Sequence, residues 1–259
     1  MRTVATLGLA LVFAAFPSSG SAQPQPDAPA PAQSVRHLDA HADRVILVPT
    51  AETHPKGTLF ASVYELLIPS IGYALTDRMQ ASITGFTDFD SGGFFEINLK
   101  ANVLRSPWLR VALATSGDYI RGEDDGDLMF GRVGGTAQIC FELACRSSLS
   151  LHAMALLHTE LATILPIGLG AAFTAQVTRV LSVLIEYSAL VNAAREFEFI
   201  DLPLYLVGYG LRLSIRPSWS LELSFLRSMQ SDDEIRVGPA DLFELVGVPF
   251  LAFSYRVHL

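Results

Sequence analysis

Leu251-Ala252-Phe253-Ser254-Tyr255-Arg256-Val257-His258-Leu259 closes the chain on a strict alternation. Leu251, Phe253, Tyr255, Val257 and Leu259 are apolar or aromatic, and Ala252, Ser254, Arg256 and His258 stand between them. Side chains on a β-strand point alternately to opposite faces, so this is a strand with one greasy face and one polar face. A soluble sheet uses the same period. What matters is how often the pattern recurs and what precedes it.

The recurrence is marked by five short turn-like stretches carrying basic residues: Thr76-Asp77-Arg78, Arg105-Ser106-Pro107, Arg146-Ser147-Ser148, Thr178-Arg179 and Arg216-Pro217-Ser218. Each is followed by an apolar residue and then by alternation, as in Trp108 to Leu113 and Trp219 to Leu223. They return at intervals of roughly 30 to 40 residues, the length of two membrane strands and their loops. Two strands per turn, an opening strand near 58–67 and the closing strand make about twelve, the even count of a single-chain bacterial barrel. The other connections, among them 88–93, 121–127, 192–201 and 230–239, are longer and more polar, as outer loops are.

Composition agrees. Half of the 259 residues are hydrophobic and only 17% are charged, against about 25% in soluble domains. The longest apolar stretch, 161–175, contains Pro166, Gly168 and Gly170 and falls short of the roughly 20 residues of a spanning helix. The net charge of −8 argues against a nucleic-acid partner.

The chain opens with Arg2, an apolar core from Val4 to Phe16 and small residues at Gly20 and Ala22. This reads as a secretory signal peptide, residues 1–22, cleaved after Ala22. Residues 23–34 form a Pro/Ala-rich linker with no apolar period, expected to be disordered. Residues 35–57 are expected as an N-terminal segment on the periplasmic side, and the barrel as residues 58–259. Within 35–57 the apolar run Val45-Ile46-Leu47-Val48 is open to two readings, a short strand or packing at the periplasmic mouth.

The fold class is therefore all-β: an up-and-down antiparallel transmembrane barrel of about twelve strands. Phe95, Ile97, Leu99, Ala101 and Val103 are expected to face lipid, and Glu96, Asn98, Lys100 and Asn102 the lumen. Tyr73, Tyr187, Tyr205, Tyr209, Trp219 and Tyr255 are candidate girdle aromatics, where a ring with a polar tip suits the membrane interface. The competing architecture is a soluble periplasmic β-sandwich binding module, whose core strands also alternate.

The inward faces carry Glu96, Lys100, Arg110, Arg132, His152, Glu186, Arg212, Glu222, Arg256 and His258. Isolated charges in a low-dielectric lumen are costly, whereas mixed signs can pair or stay hydrated. Two readings stay open: a charged constriction in a small-solute channel, with the Arg excess favouring anions, or a salt-bridge network that fills a structural barrel.

Glu123, Asp124, Asp125 and Asp127 form an acidic cluster, as do Asp88 with Asp90 and Asp232 to Glu234. The calcium-loop spacing is absent, so these are read as solvated outer loops that divalent ions could bridge to lipopolysaccharide, and no metal or cofactor is expected. Cys140 and Cys145 are the only cysteines; at a hairpin end in an oxidising compartment they are expected to pair. His152 with Ser150, or His158 with Glu160, would be the start of a lipid-modifying site, but no nucleophile elbow or zinc helix motif accompanies them, so no enzyme is expected.

The motif Pro55-Lys56-Gly57-Thr58-Leu59-Phe60, with Gly72-Tyr73-Ala74-Leu75-Thr76-Asp77-Arg78-Met79, resembles the opening hairpins of a broad group of bacterial outer-membrane β-barrels. The resemblance implies an outer-membrane location, with lipid, lipopolysaccharide and the barrel-assembly machinery as partners. It implies no solute. Many such barrels end on Phe or Trp, and this chain ends on Leu259.

Overall fold

The structure is a computed structural model and describes residues 40–64, 68–88, 92–121, 128–158, 164–191, 204–216, 218–229 and 247–259. Among these are twelve strands: β1 (Thr58–Tyr64), β2 (Ile68–Thr76), β3 (Met79–Asp88), β4 (Gly92–Arg105), β5 (Leu109–Arg121), β6 (Leu128–Cys140), β7 (Ser147–His158), β8 (Ile164–Gln176), β9 (Leu181–Val191), β10 (Leu204–Arg216), β11 (Trp219–Ser228) and β12 (Val248–His258). Each pairs antiparallel with the next, and β1 pairs with β12, so the sheet closes on itself and leaves no edge. The terminal alternation that opened the sequence reading is the closing strand, in register Ser62 to Ser254 and Thr58 to His258 against β1. The seam is reinforced inside by a 2.8 Å bond between the Ser62 and Ser254 hydroxyls.

The five basic turns are the β2–β3, β4–β5, β6–β7, β8–β9 and β10–β11 connections. They share one end of the barrel, here the turn end, with the C-terminus, where the Leu259 N–H donates to the Gly57 carbonyl at 2.9 Å. Cys140 and Cys145 form a disulfide across one of these turns, with Cα atoms 4.8 Å apart. The opposite end, the loop end, carries the longer connections. The acidic cluster Glu123, Asp124, Asp125 and Asp127 lies outside the described residues.

The two faces are as the period of two requires. Phe95, Ile97 and Val103 on β4 are exposed on the outside, and Lys100 and Asn102 are buried within. An apolar belt of Ile71, Ile83, Leu113, Val133, Leu151, Ile185, Leu211 and Phe253 continues around the wall. No soluble monomer leaves a continuous belt of that kind in water. A closed sheet that is apolar outside and polar inside is the architecture of a bacterial outer-membrane barrel. Ile97 lies near the midpoint of β4 and is 53% exposed. Ile97→Arg is therefore expected to cost about 2–4 kcal/mol in urea unfolding from liposomes; a cost below about 1 kcal/mol would place that face outside the hydrocarbon.

The aromatic positions divide. Trp219 and Tyr255 are register partners at the turn end, with Tyr73 close to the end of β2. Tyr205 lies at the loop-end start of β10 and stacks on Tyr187 with centroids 6.3 Å apart. Tyr187 and Tyr209 sit near the midpoints of β9 and β10, on the outward face. The sequence pattern shows which face a ring occupies but not its depth, which depends on where each strand begins.

The larger correction concerns residues 35–57. Of the described part of that segment, Ala40 to His54 lie inside the barrel, and only residues 55–57 stand at its turn end. Ala40, His41, Val45, Ile46, Val48, Ala51 and His54 are all buried.

Candidate functional site: a lumen closed by the chain's own finger

Residues 40–54 form a hairpin-like finger. Arg44 and Pro49 make an antiparallel bridge, the Thr50 N–H donates to the Asp43 carbonyl at 2.9 Å, and the Val45 N–H donates to the Val48 carbonyl at 2.9 Å. The tip is therefore the apolar run 45–48. The second leg descends to the turn end, where the His54 N–H donates to Gln80 Oε1 at 3.0 Å and the Lys56 N–H to Asp77 Oδ1 at 2.9 Å. The first leg, being antiparallel, points toward the same end.

Polar side chains of the wall satisfy the finger's backbone. Glu186 on β9 accepts three successive N–H groups, from Ile46 at 3.0 Å and from Leu47 and Val48 at 2.9 Å each, all on Oε2. A buried carboxylate with no cation beside it is costly, and three convergent donors are the compensation. Arg212 on β10 donates to the carbonyls of His41 at 3.1 Å and Arg44 at 3.0 Å, and also to that of Val45. It is held in turn by Glu222 on β11, at 3.0 and 2.8 Å. Lys100 Nζ donates to the Asp43 carbonyl at 3.0 Å, Asn102 Nδ2 to the Ala51 carbonyl at 2.7 Å, and Arg110 pairs with Glu52. A chain segment with no sheet partners must find bonds for its amides elsewhere, and here the lumen supplies them.

Apolar packing fixes the tip. Val45, Ile46 and Val48 form a cluster with Ala172 on β8 and Leu184 on β9, and Leu226 and Phe250 pack against it. Burying three aliphatic side chains contributes about 1.5–3 kcal/mol each. Two inward glycines make the room: a Cβ on Gly170 would stand 2.6 Å from Val48 Cγ2, and one on Gly208 would stand 2.9 Å from Ile46 Cδ1.

Between one side of the finger and the wall a cavity of about 430 Å³ remains. Its wall is charged on β4 and β6. Arg132 binds Asp118 bidentately, at 2.9 and 2.6 Å, and reaches Glu96 at 2.7 Å. The finger forms one side of it, with Asp43, Arg44 and Leu47 among the lining residues. Burial pushes the Asp43 carboxyl up, but the charges of Arg44, Lys100, His54 and His41 outweigh it and hold it below the ordinary carboxylate range. Asp43 is therefore ionised at neutral pH.

The ionisable set expected to line a lumen is thus divided between two tasks. Lys100, Arg110, Glu186, Arg212 and Glu222 are committed to the finger, while Glu96 and Arg132 belong to the cavity wall. Arg256 is half-buried near the turn end, and His258 is exposed there. His152 turns to the Thr136 hydroxyl at 2.9 Å, while Ser150 beside it is fully buried. The His158 side chain and Glu160 lie outside the described residues. Sequence reasoning missed Asp43, Arg44 and Glu52, which stand on the finger, and Asp118. Asp118 had a signal: it shares the inward register of β5 with Ser116. Leu184 had one too, as an aliphatic residue on a face where a water-filled channel would carry a polar one.

No family model and no curated protein matches the sequence. Solved structures show a likeness of fold. The outer-membrane protein Omp33 of Acinetobacter baumannii is 10% identical, over 78% of this chain and 96% of that one, with a TM-score of 0.40. LpxR from Salmonella typhimurium is 13% identical, over 78% and 100%, with a TM-score of 0.42. OccK11 (OpdR) of Pseudomonas aeruginosa is 10% identical, over 78% and 63%, with a TM-score of 0.39.

Proposed function

We propose that this protein is an outer-membrane small-solute channel that residues 40–54 hold shut, with a mature chain beginning after Ala22. The observation that carries the reading is the finger itself. It crosses a lumen whose wall offers many polar side chains beside a few apolar ones, and much of its grip on that wall is through hydrogen bonds to its own backbone. Such bonds contribute about 0.5–1.5 kcal/mol each, more to charged groups, and water can replace them when the finger withdraws. A barrel built only as a filled scaffold has no use for a charged cavity left open beyond the filling. Lipid around the apolar belt and the assembly machinery at the closing strand are the partners this reading implies.

Planar-bilayer conductance is the test. The full chain should be silent or open rarely, and a variant lacking residues 40–54 should conduct steadily. Heat-modifiable mobility on a gel shows whether that variant has folded. Equal conductance with and without the finger would overturn the proposal. So would a folded finger-less barrel that stays silent, which would instead make the protein a structural surface barrel.

A further inference from the structure

The cavity beside the finger is lined by both signs of charge, Asp43 and Glu96 with Arg44, Lys100 and Arg132, and some of their hydrogen-bonding atoms are unused among the described residues. The Arg44 guanidinium lies over the Tyr64 ring, 4.7 Å from its centroid, and among the described residues it makes no hydrogen bond. A cation–π contact fixes the plane of a guanidinium and leaves its N–H edge free to donate. Arg132 uses Nε and Nη2 on Asp118 and Glu96, and its Nη1 has no partner among the described residues. The Asp43 carboxylate, adjacent in sequence to Arg44, likewise accepts no hydrogen bond from a described residue. Asp43, Arg44, Glu96 and Arg132 all line the same space.

The facing surface is apolar. Leu47 at the tip of the finger is 41% exposed although it belongs to an apolar run. Met154 on β7, Leu190 on β9 and Leu206 on β10 line the cavity with it. A pocket of about 430 Å³ falls in the range of small-molecule sites, and apolar walls with a few convergent polar groups are their usual form.

We propose that this cavity binds a small zwitterionic solute with an apolar side chain, of the class of an α-amino acid or a dipeptide. The carboxylate is held by Arg44 and the free Nη1 of Arg132, the ammonium by Asp43 and Glu96, and the side chain rests on Leu47, Met154, Leu190 and Leu206. A singly charged solute adds an unbalanced charge to a lining whose signs already offset one another, which is the costly outcome. Mixed sign therefore selects against simple anions and simple amines alike. The meaning for transport rests on the channel reading, whereas binding is measured without it.

Isothermal titration of the full chain in lipid nanodiscs tests this with L-phenylalanine, 3-phenylpropionate, which lacks the ammonium, and phenethylamine, which lacks the carboxylate. Phenylalanine is expected to bind once per barrel, at least about tenfold more tightly than either analogue. Arg44→Gln should weaken phenylalanine about tenfold and leave phenethylamine unchanged, and Leu47→Ser should weaken phenylalanine several-fold. Both substitutions lie on the finger and change no residue of the barrel wall. Absence of phenylalanine binding, equal binding of either analogue, or an Arg44→Gln variant that binds as before would overturn the assignment. A silent finger-less barrel alongside intact phenylalanine binding would sink the channel and spare the site.

Discussion

Arg212→Ala is expected to destabilise the folded barrel by about 3–5 kcal/mol, the cost of breaking a buried ion pair by removing one partner. Arg212 is 3% exposed and serves two masters, the Glu222 carboxylate and the carbonyls of His41, Arg44 and Val45. Its loss takes the guanidinium away from a fully buried carboxylate and from three carbonyls together. The Ser224 hydroxyl, which donates to Glu222 Oε1 at 3.2 Å, and His41 Nδ1, 3.7 Å from Oε2, do not replace the positive charge of the guanidinium. Arg212→Lys does not rescue, because an ammonium cannot span a carboxylate and three carbonyls as a planar fork does. The double variant Arg212→Ala with Glu222→Ala should cost less than the sum of the single ones, since the stranded charge goes with its partner. Urea unfolding from liposomes, followed by fluorescence of Trp108 and Trp219, measures all of these. A loss under about 1 kcal/mol for Arg212→Ala would mean that the network does not hold the finger.

Gly170→Leu should open the barrel without unfolding it. Gly170 faces inward on β8, in register with His152 and Ser188, and Val48 fills the space where its side chain would be. Valine is stiff about χ1, so it cannot swing aside as a longer side chain would. Forcing extra volume into a filled site costs about 1–3 kcal/mol. The wall is tied by strand hydrogen bonds on both sides of β8, whereas the finger is tied by contacts that water can replace. The finger is thus the part that yields, and single-channel recordings should show a rise in open probability over the parent chain. Gly117→Ala is the control, because a Cβ there meets nothing within 4 Å. Adding Val48→Ala to a Gly170→Ala variant should restore closure. A Gly170→Leu barrel that is folded and as silent as the parent would show that the finger does not gate the lumen.

Much of this protein follows from the period of two. The terminal stretch from Leu251, the basic turns and the alternation between Phe95 and Val103 are local signals, and a strand's face assignment is a local property. Once about twelve such strands are counted, antiparallel pairing of neighbours and closure of the last on the first leave little freedom. The disulfide between Cys140 and Cys145 was equally local, since six consecutive residues hold both partners.

What occupies the lumen was not legible in this way. Glu186 looked like one of several inward charges, and its partners are backbone amides 138 to 140 residues away along the chain. Backbone N–H groups are the same in every sequence, so nothing in the letters around Ile46 announces that they will converge on a carboxylate. The apolar run 45–48 could have packed anywhere that offered an apolar surface. Only the closed barrel, with Gly170 and Gly208 leaving hollows and Leu184 lining one of them, decides that it packs within. Alternation along the chain determined the cylinder; its contents were decided by contacts between residues far apart in sequence, which exist only after the cylinder has closed.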